Sequence, residues 1–183
     1  MIVNKSLAVA TFQVFLPEQV RKINEKIKKS ASQPQNLSDA ARNVTKIGKF
    51  FDIPCEPLME LIHPWLYKCQ QSNNTYFGYD IDWEFHLDAL TYNVYGTDGE
   101  YGWHIDASDK RGTVNDSKLT CLLNLSEEPY EGGKFYVINS EEEQKFTSGM
   151  GIVFTSLIAH KVTPITKGER ITLTYWASGP SWR

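Results

Sequence analysis

Trp103-His104-Ile105-Asp106 opens a stretch that runs to Trp176 and includes, near its end, Ala159-His160-Lys161-Val162-Thr163-Pro164-Ile165-Thr166-Lys167-Gly168-Glu169-Arg170-Ile171-Thr172. Within it nearly every apolar run has the length of a strand, and Gly, Asn, Asp or Ser separates one run from the next. Lys118 to Leu125 reads as one strand. Gly132-Gly133 turns the chain into Lys134 to Ile138, Gly149 and Gly151 flank Met150 ahead of Ile152 to Phe154, and Gly168 turns into Glu169 to Trp176. So many short strands, punctuated by turn residues, predict a sandwich or barrel.

The two ends of the stretch carry the chemistry. Residues two apart in a strand share a face. His104 and Asp106 can therefore reach one metal ion from a single strand or its end, with Ile105 turned the other way into packing. His160 follows 54 residues later (160 − 104), on a distant strand. Two neutral imidazoles and one carboxylate on one side of a metal form the facial triad of non-heme Fe(II) sites, which leaves positions open for a cosubstrate and oxygen. Arg170, ten residues after His160, is the cation that a dicarboxylate cosubstrate needs. An H-x-D triplet alone is weak evidence, because most His and Asp residues sit on solvated surface. The weight comes from the joint pattern: the chain has four histidines, and these two both fall in strand-like segments with the arginine on the next strand.

Working outward, the 183 residues fit one domain with a sizeable core. A net charge of −3 leaves no basic footprint for nucleic acid and no polybasic membrane signal. Cys55, Cys69 and Cys121 match no metal or disulfide spacing and point to buried thiols in a reducing, cytoplasmic setting. No signal peptide or transmembrane segment is read. Leu7 to Val14 reads as a strand. Pro17 starts a helix whose Val20, Ile23 and Ile27 recur at helical spacing. Ser30 to Asn43 reads as a surface loop. Cys55 to Ser72 is helical in pattern, with Pro64 expected to split or bend it. His63, next to that proline, reads as structural. Thr75 to Tyr95, crowded with aromatics, reads as strands. Gly96-Thr97-Asp98-Gly99 is a tight turn. Ala107 to Ser117 is polar and reads equally as a lid beside the site or as a plain connection. The predicted fold is α+β, mainly β: a jelly roll buttressed by N-terminal helices, with 1–74 mostly helical support and 75–183 the catalytic core of a single domain.

From about Asp80 to Arg183 the chain resembles the Fe(II)- and 2-oxoglutarate-dependent dioxygenases, in their prolyl 4-hydroxylase-like (PKHD-type) branch. The residues that carry the likeness are Tyr92-Asn93-Val94-Tyr95 running to His104-Ile105-Asp106; Leu125-Ser126-Glu127-Glu128-Pro129-Tyr130-Glu131-Gly132-Gly133; His160-Lys161-Val162-Thr163-Pro164 running to Gly168-Glu169-Arg170; and Trp176-Ala177-Ser178-Gly179-Pro180.

The resemblance implies a double-stranded β-helix of cupin type, and roles for single residues. His104, Asp106 and His160 would ligate Fe(II). Arg170 would pair with the far carboxylate of 2-oxoglutarate, which its planar fork suits better than lysine. Tyr95 or Tyr92 would reach the cosubstrate, and Thr172, on the face of Arg170, would add a hydroxyl. Asn124 stands where several relatives place an aromatic residue that helps hold the cosubstrate. Trp103 and Trp176 are candidates for the substrate entrance, packing being the stronger reading for Trp176. The cosubstrates implied are 2-oxoglutarate and O2, with ascorbate an optional addition. The implied substrate is first a prolyl residue in a peptide or protein, with a free amino acid or other small molecule as the alternative. A non-oxidative cupin-like metalloenzyme or a metal-binding module would share the triad, but would give no reason for Arg170.

Overall fold

The computed structural model describes residues 9–30, 44–83, 89–107, 115–138 and 143–181. Its frame is a six-stranded antiparallel sheet. In sheet order the strands are β1 (Val9–Gln13), β9 (Met150–Thr155), β6 (Asn115–Asn124), β12 (Arg170–Pro180), β4 (Ala89–Tyr95) and β3 (Lys49–Pro54). A four-stranded sheet of β2 (Lys46–Ile47), β5 (Glu100–His104), β10 (His160–Val162) and β8 (Phe135–Val137) faces it, and β11 (Ile165–Lys167) pairs with β7 (Glu131–Gly132). This is the expected jelly roll.

Strand parity sorts the side chains. Leu90 and Tyr92 on β4, Leu119, Cys121 and Leu123 on β6, Val153 on β9, and Leu173 and Tyr175 on β12 enter one core with two helices. The alternate residues Leu122, Met150, Ile152 and Phe154 turn inward and meet Phe135, Val137 and Val162 of the smaller sheet. The helices are α1 (Pro17–Ser30) and α2 (Met59–Ser72). On α1, Val20, Ile23 and Ile27 are fully buried, each contributing roughly 1.5–3 kcal/mol. Its start is set by Pro17 and by Gln19, whose Oε1 accepts the Leu16 N–H at 2.9 Å.

Three expectations change. The α2 helix is neither split nor interrupted: it runs through Pro64, which sits on an exposed face, so water can satisfy the carbonyl that the proline leaves unbonded. Thr75 to Phe77 is not strand. Asn73–Phe77 is a wide helical turn that stops at Gly78, whose φ is 70°. Asn73 pins the exit by donating to the Tyr79 carbonyl at 2.8 Å and accepting the Tyr79 N–H at 3.0 Å. Phe77, Tyr79, Ile81 and Trp83 then pack on the core from outside any strand. Aromatic alternation here reflects packing, and the strand begins at Ala89. Finally, beside β1, which falls in the expected strand from Leu7 to Val14, a strand not expected, β3, forms the other edge of the larger sheet. The expected surface loop from Ser30 to Asn43 falls on residues 31–43, outside the described residues.

Candidate active site

The smaller sheet places the two histidines side by side. β10 runs antiparallel to β5 with His160 opposite His104, and the two ring centroids lie 4.1 Å apart. Asp106 follows the end of β5. The Asp106 and Ala107 N–H groups both donate to the Ser156 carbonyl, at 3.0 and 2.9 Å, which anchors the turn to the larger sheet. Asp106 Oδ1 is 3.4 Å from His104 Nε2, and Oδ2 is 3.6 Å from His160 Nε2. One ligand atom from each of the three residues lies within 4.8 Å of the others, the one such group among the described residues.

The chemistry of these donors suits a divalent metal. Each histidine donates its Nδ1 hydrogen to a backbone carbonyl, His104 to Gly102 at 2.8 Å and His160 to Ile158 at 2.9 Å. That fixes the tautomer and leaves both Nε2 lone pairs free. Burial pulls the His160 imidazole down to about 4, against the attraction of Asp106, so it stays neutral at physiological pH. Burial alone would raise the Asp106 carboxyl; the two imidazole edges beside it and the hydrogen bond from the Thr120 hydroxyl outweigh it and hold the group well below the usual carboxylate range. Thr120 Oγ1 donates to Asp106 Oδ2 at 2.7 Å. Rings wall the imidazoles: Tyr101 stacks on His104 at 3.4 Å, and Phe154 meets His160 edge-on at 4.7 Å. Ile105 does turn away from its neighbours, but to the surface, at 41% exposure, rather than into packing.

The triad opens on a cavity of about 350 Å³ between the two sheets, with Arg170, Tyr95, Thr172 and Trp176 also in its wall. Arg170 is 2% exposed. Its guanidinium carbon lies 5.6 Å from the Tyr95 ring and 5.4 Å from the Phe146 ring. Its Nε and Nη2 are buried with no hydrogen-bond partner among the described residues. A buried cation with two idle donors costs free energy until an anion meets them, and a carboxylate matches that fork.

Register decides between the two tyrosines. β4 pairs with β12 so that Tyr95 faces Arg170, Asn93 faces Thr172 and Thr91 faces Thr174. Tyr95 therefore shares the cavity with Arg170, and burial pushes its phenol up to about 12 despite the nearby cation, which keeps it a donor. Tyr92 lies on the opposite face, where its hydroxyl donates to Asn24 Oδ1 at 3.1 Å. Asn124 is also absent from the cavity wall. Its Nδ2 donates to the Phe146 carbonyl at 2.7 Å and its Oδ1 accepts the Ser126 N–H at 2.9 Å.

The two tryptophans, both candidates for the substrate entrance, are placed differently. Trp176 is in the cavity wall, with its buried indole N–H unpartnered among the described residues. Trp103 sits outside, 46% exposed, with the Lys161 ammonium 4.9 Å from its ring. His63 stacks on Tyr67 at 6.4 Å along α2, as a structural residue would. Of the polar stretch from Ala107 to Ser117, read equally as a lid or a plain connection, residues 108–114 lie outside the described residues and Asn115 to Ser117 open β6. Sequence reasoning missed Thr120, Asn93 and Thr174. The step of two that carries Arg170 to Thr172 also reaches Thr174, so that residue was within reach. The Thr120 contact needed the fold.

Comparison with known proteins agrees with this geometry. Residues 90–178 match the 2OG-Fe(II) oxygenase superfamily. The curated relatives that the chain resembles are of the PKHD type. A PKHD-type hydroxylase of Alteromonas mediterranea is 37% identical over 93 residues, 46% of this chain and 41% of that protein. One from Picosynechococcus is 33% identical over 98 residues, 52% and 43% of the two chains. The matched stretch thus spans less than half the length of these relatives. Among solved structures, the viral collagen prolyl hydroxylase of Paramecium Bursaria Chlorella virus-1, in its 2OG complex, superposes with a TM-score of 0.71 at 18% identity, covering 97% of this chain and 99% of that one. A Pseudomonas putida prolyl-4-hydroxylase gives 0.68 at 17% identity, covering 96% and 95%. These likenesses show the fold.

Proposed function

We propose that this chain is an Fe(II)- and 2-oxoglutarate-dependent dioxygenase that hydroxylates a prolyl residue in a peptide or protein. The observation that carries the cosubstrate is Arg170, a buried cation with two idle donors in the wall of the cavity that holds the His104–Asp106–His160 group. The chemistry supplied by Fe(II) and 2-oxoglutarate when bound is hydroxylation of an unactivated C–H bond with O2, coupled to release of succinate and CO2.

The chain's own residues do the rest. His104, Asp106 and His160 hold the metal through two fixed Nε2 atoms and a carboxylate that Thr120 orients. Arg170 takes the far carboxylate, and the Tyr95 phenol and Thr172 hydroxyl face the same space. Asn93 keeps that polar wall in order by donating to Thr174 Oγ1 at 3.0 Å and to the Thr91 carbonyl at 3.1 Å. The apolar side, Leu122, Phe135 and Val162, excludes water. The Trp176 indole N–H is offered to the substrate. The peptide reading is supported by the PKHD relatives and by a structural neighbour from Trichoplax adhaerens, a prolyl hydroxylase solved with a peptide fragment. The three cysteines, all buried and with no disulfide among the described residues, suit a reducing, cytoplasmic setting. No helix of the described residues is long and apolar enough to cross a membrane.

The test is succinate formation by anaerobically purified, Fe(II)-loaded protein once O2 is admitted, with prolyl peptides set against free proline and other amino acids. Stimulation by peptides alone supports the proposal, and stimulation by a free amino acid replaces the substrate. Asp106→Ala must abolish turnover; full activity in that variant would sink the metal assignment. No succinate and no 2-oxoglutarate binding would leave a non-oxidative metal site.

A further inference from the structure

Asn124 stands where the resemblance placed an aromatic contact to the cosubstrate, yet its amide is engaged inside the protein. Its Nδ2 donates to the Phe146 carbonyl at 2.7 Å and lies 3.3 Å from the Tyr130 hydroxyl. That hydroxyl donates to the same carbonyl at 3.5 Å. Phe146 lies between β8 and β9, outside any strand, so ladder pairing does not fix it. Its ring is one of the two aromatic faces within 6 Å of the Arg170 guanidinium, the other being Tyr95. Arg170 has no ion pair among the described residues, and no hydrogen bond from its Nε or Nη2. These rings are what orient the two idle donors.

The stem of the arginine is confined as well. A Cβ added at Gly133, where φ is +59°, would lie 3.0 Å from Arg170 Cδ and 3.2 Å from Tyr130 Cε2. Gly133 therefore leaves room for the arginine stem beside the Tyr130 ring. The β6 strand, through Asn124, thus reaches the arginine of β12 by way of a carbonyl and a ring.

We infer that Asn124 is a positioning residue for Arg170, acting through Phe146, so that this chain orients its cosubstrate cation by an amide–carbonyl–ring relay in place of a direct aromatic contact. The inference rests on the 2-oxoglutarate reading of the cavity. Loss of the relay frees the guanidinium to rotate away from the cosubstrate without touching the metal ligands.

The experiment is calorimetric titration of 2-oxoglutarate, under anaerobic conditions, into the Fe(II)-loaded full chain and its variants. Asn124→Leu and Phe146→Leu each weaken 2-oxoglutarate binding by about tenfold, the scale of one desolvated cation–π contact. Fe(II) affinity stays within about twofold, and the apparent KM for 2-oxoglutarate rises while kcat holds. Phe146→Tyr, which keeps the ring, restores binding. A merely structural role lowers metal and cosubstrate affinity together and is not rescued by the ring. If Asn124→Leu does not fold, the Phe146→Leu and Phe146→Tyr pair decides the matter alone. Wild-type affinity in Asn124→Leu or Phe146→Leu, alongside lost binding in Arg170→Met, overturns the relay and leaves the cosubstrate reading standing. Unchanged binding in Arg170→Met overturns both.

Discussion

Arg170→Met is the substitution with the sharpest consequence. The methionine fills much of the same volume but removes the charge and both idle donors, Nε and Nη2. Each hydrogen bond to a charged group is worth about 1.5–3 kcal/mol. Two such bonds to a carboxylate amount to about 3–6 kcal/mol, or roughly a 10²- to 10⁴-fold loss of 2-oxoglutarate affinity. Arg170→Lys keeps a point charge and gives up the fork, so it falls between the two. The unliganded protein should respond in the opposite sense. It carries a buried cation that faces two rings and has no ion pair among the described residues, so removing the charge leaves its Tm unchanged or higher. Saturating 2-oxoglutarate raises the Tm of the Fe(II)-loaded wild type through linkage and leaves the variant unmoved. Anaerobic calorimetry and thermal melts with and without cosubstrate check both halves. An Arg170→Met protein that binds 2-oxoglutarate within threefold of wild type would refute the assignment, and one that melts far lower without ligand would show that Arg170 is a structural cation.

Further expectations concern single contacts. Tyr95→Phe weakens 2-oxoglutarate binding, whereas Tyr92→Phe leaves it intact and costs about 1 kcal/mol of stability through the lost bond to Asn24, as denaturant titration would read. Equal effects on binding would contradict the β4–β12 register. Thr120→Val frees one Asp106 oxygen and should lower Fe(II) affinity by about 10- to 100-fold in a metal titration, with the fold kept. An unchanged metal affinity would remove Thr120 from the site. Burial, reinforced by the neighbouring Cys121, raises the Cys69 thiol well above its ordinary range, so iodoacetamide at pH 8 should leave Cys69 unmodified in the native protein and label it after denaturation, as peptide mass analysis would show. Rapid native labelling would place that thiol outside the core.

Much of this protein was legible before any fold was drawn. His104 and Asp106 share a strand end through an i, i+2 step, and that step is local chemistry. Glycines at the ends of short β runs announced the jelly roll, and the period of Val20, Ile23 and Ile27 announced the first helix. The aromatic run after Asn73 misled, because a side chain that packs on a core from an irregular segment leaves the same pattern as one on a strand. Pro64 does not split its helix, one of the two outcomes expected of it, because its cost depends on whether water reaches the carbonyl that it strips of a partner.

The sequence by itself determined the kind of site: which three side chains can hold a metal, and which cation can receive a dicarboxylate. It did so because ligand type and strand parity are written in adjacent residues. The tertiary structure alone put Tyr95 in the cavity wall and Tyr92 on the opposite face, brought Trp176 into the cavity wall and left Trp103 outside, and engaged the Asn124 amide with the Phe146 carbonyl. Each of these depends on cross-strand register between distant segments, as with Tyr95 opposite Arg170 (170 − 95 = 75 residues apart) and Asn124 opposite Thr172 (172 − 124 = 48). A one-residue slip in either pairing would exchange the cavity face for the helix face.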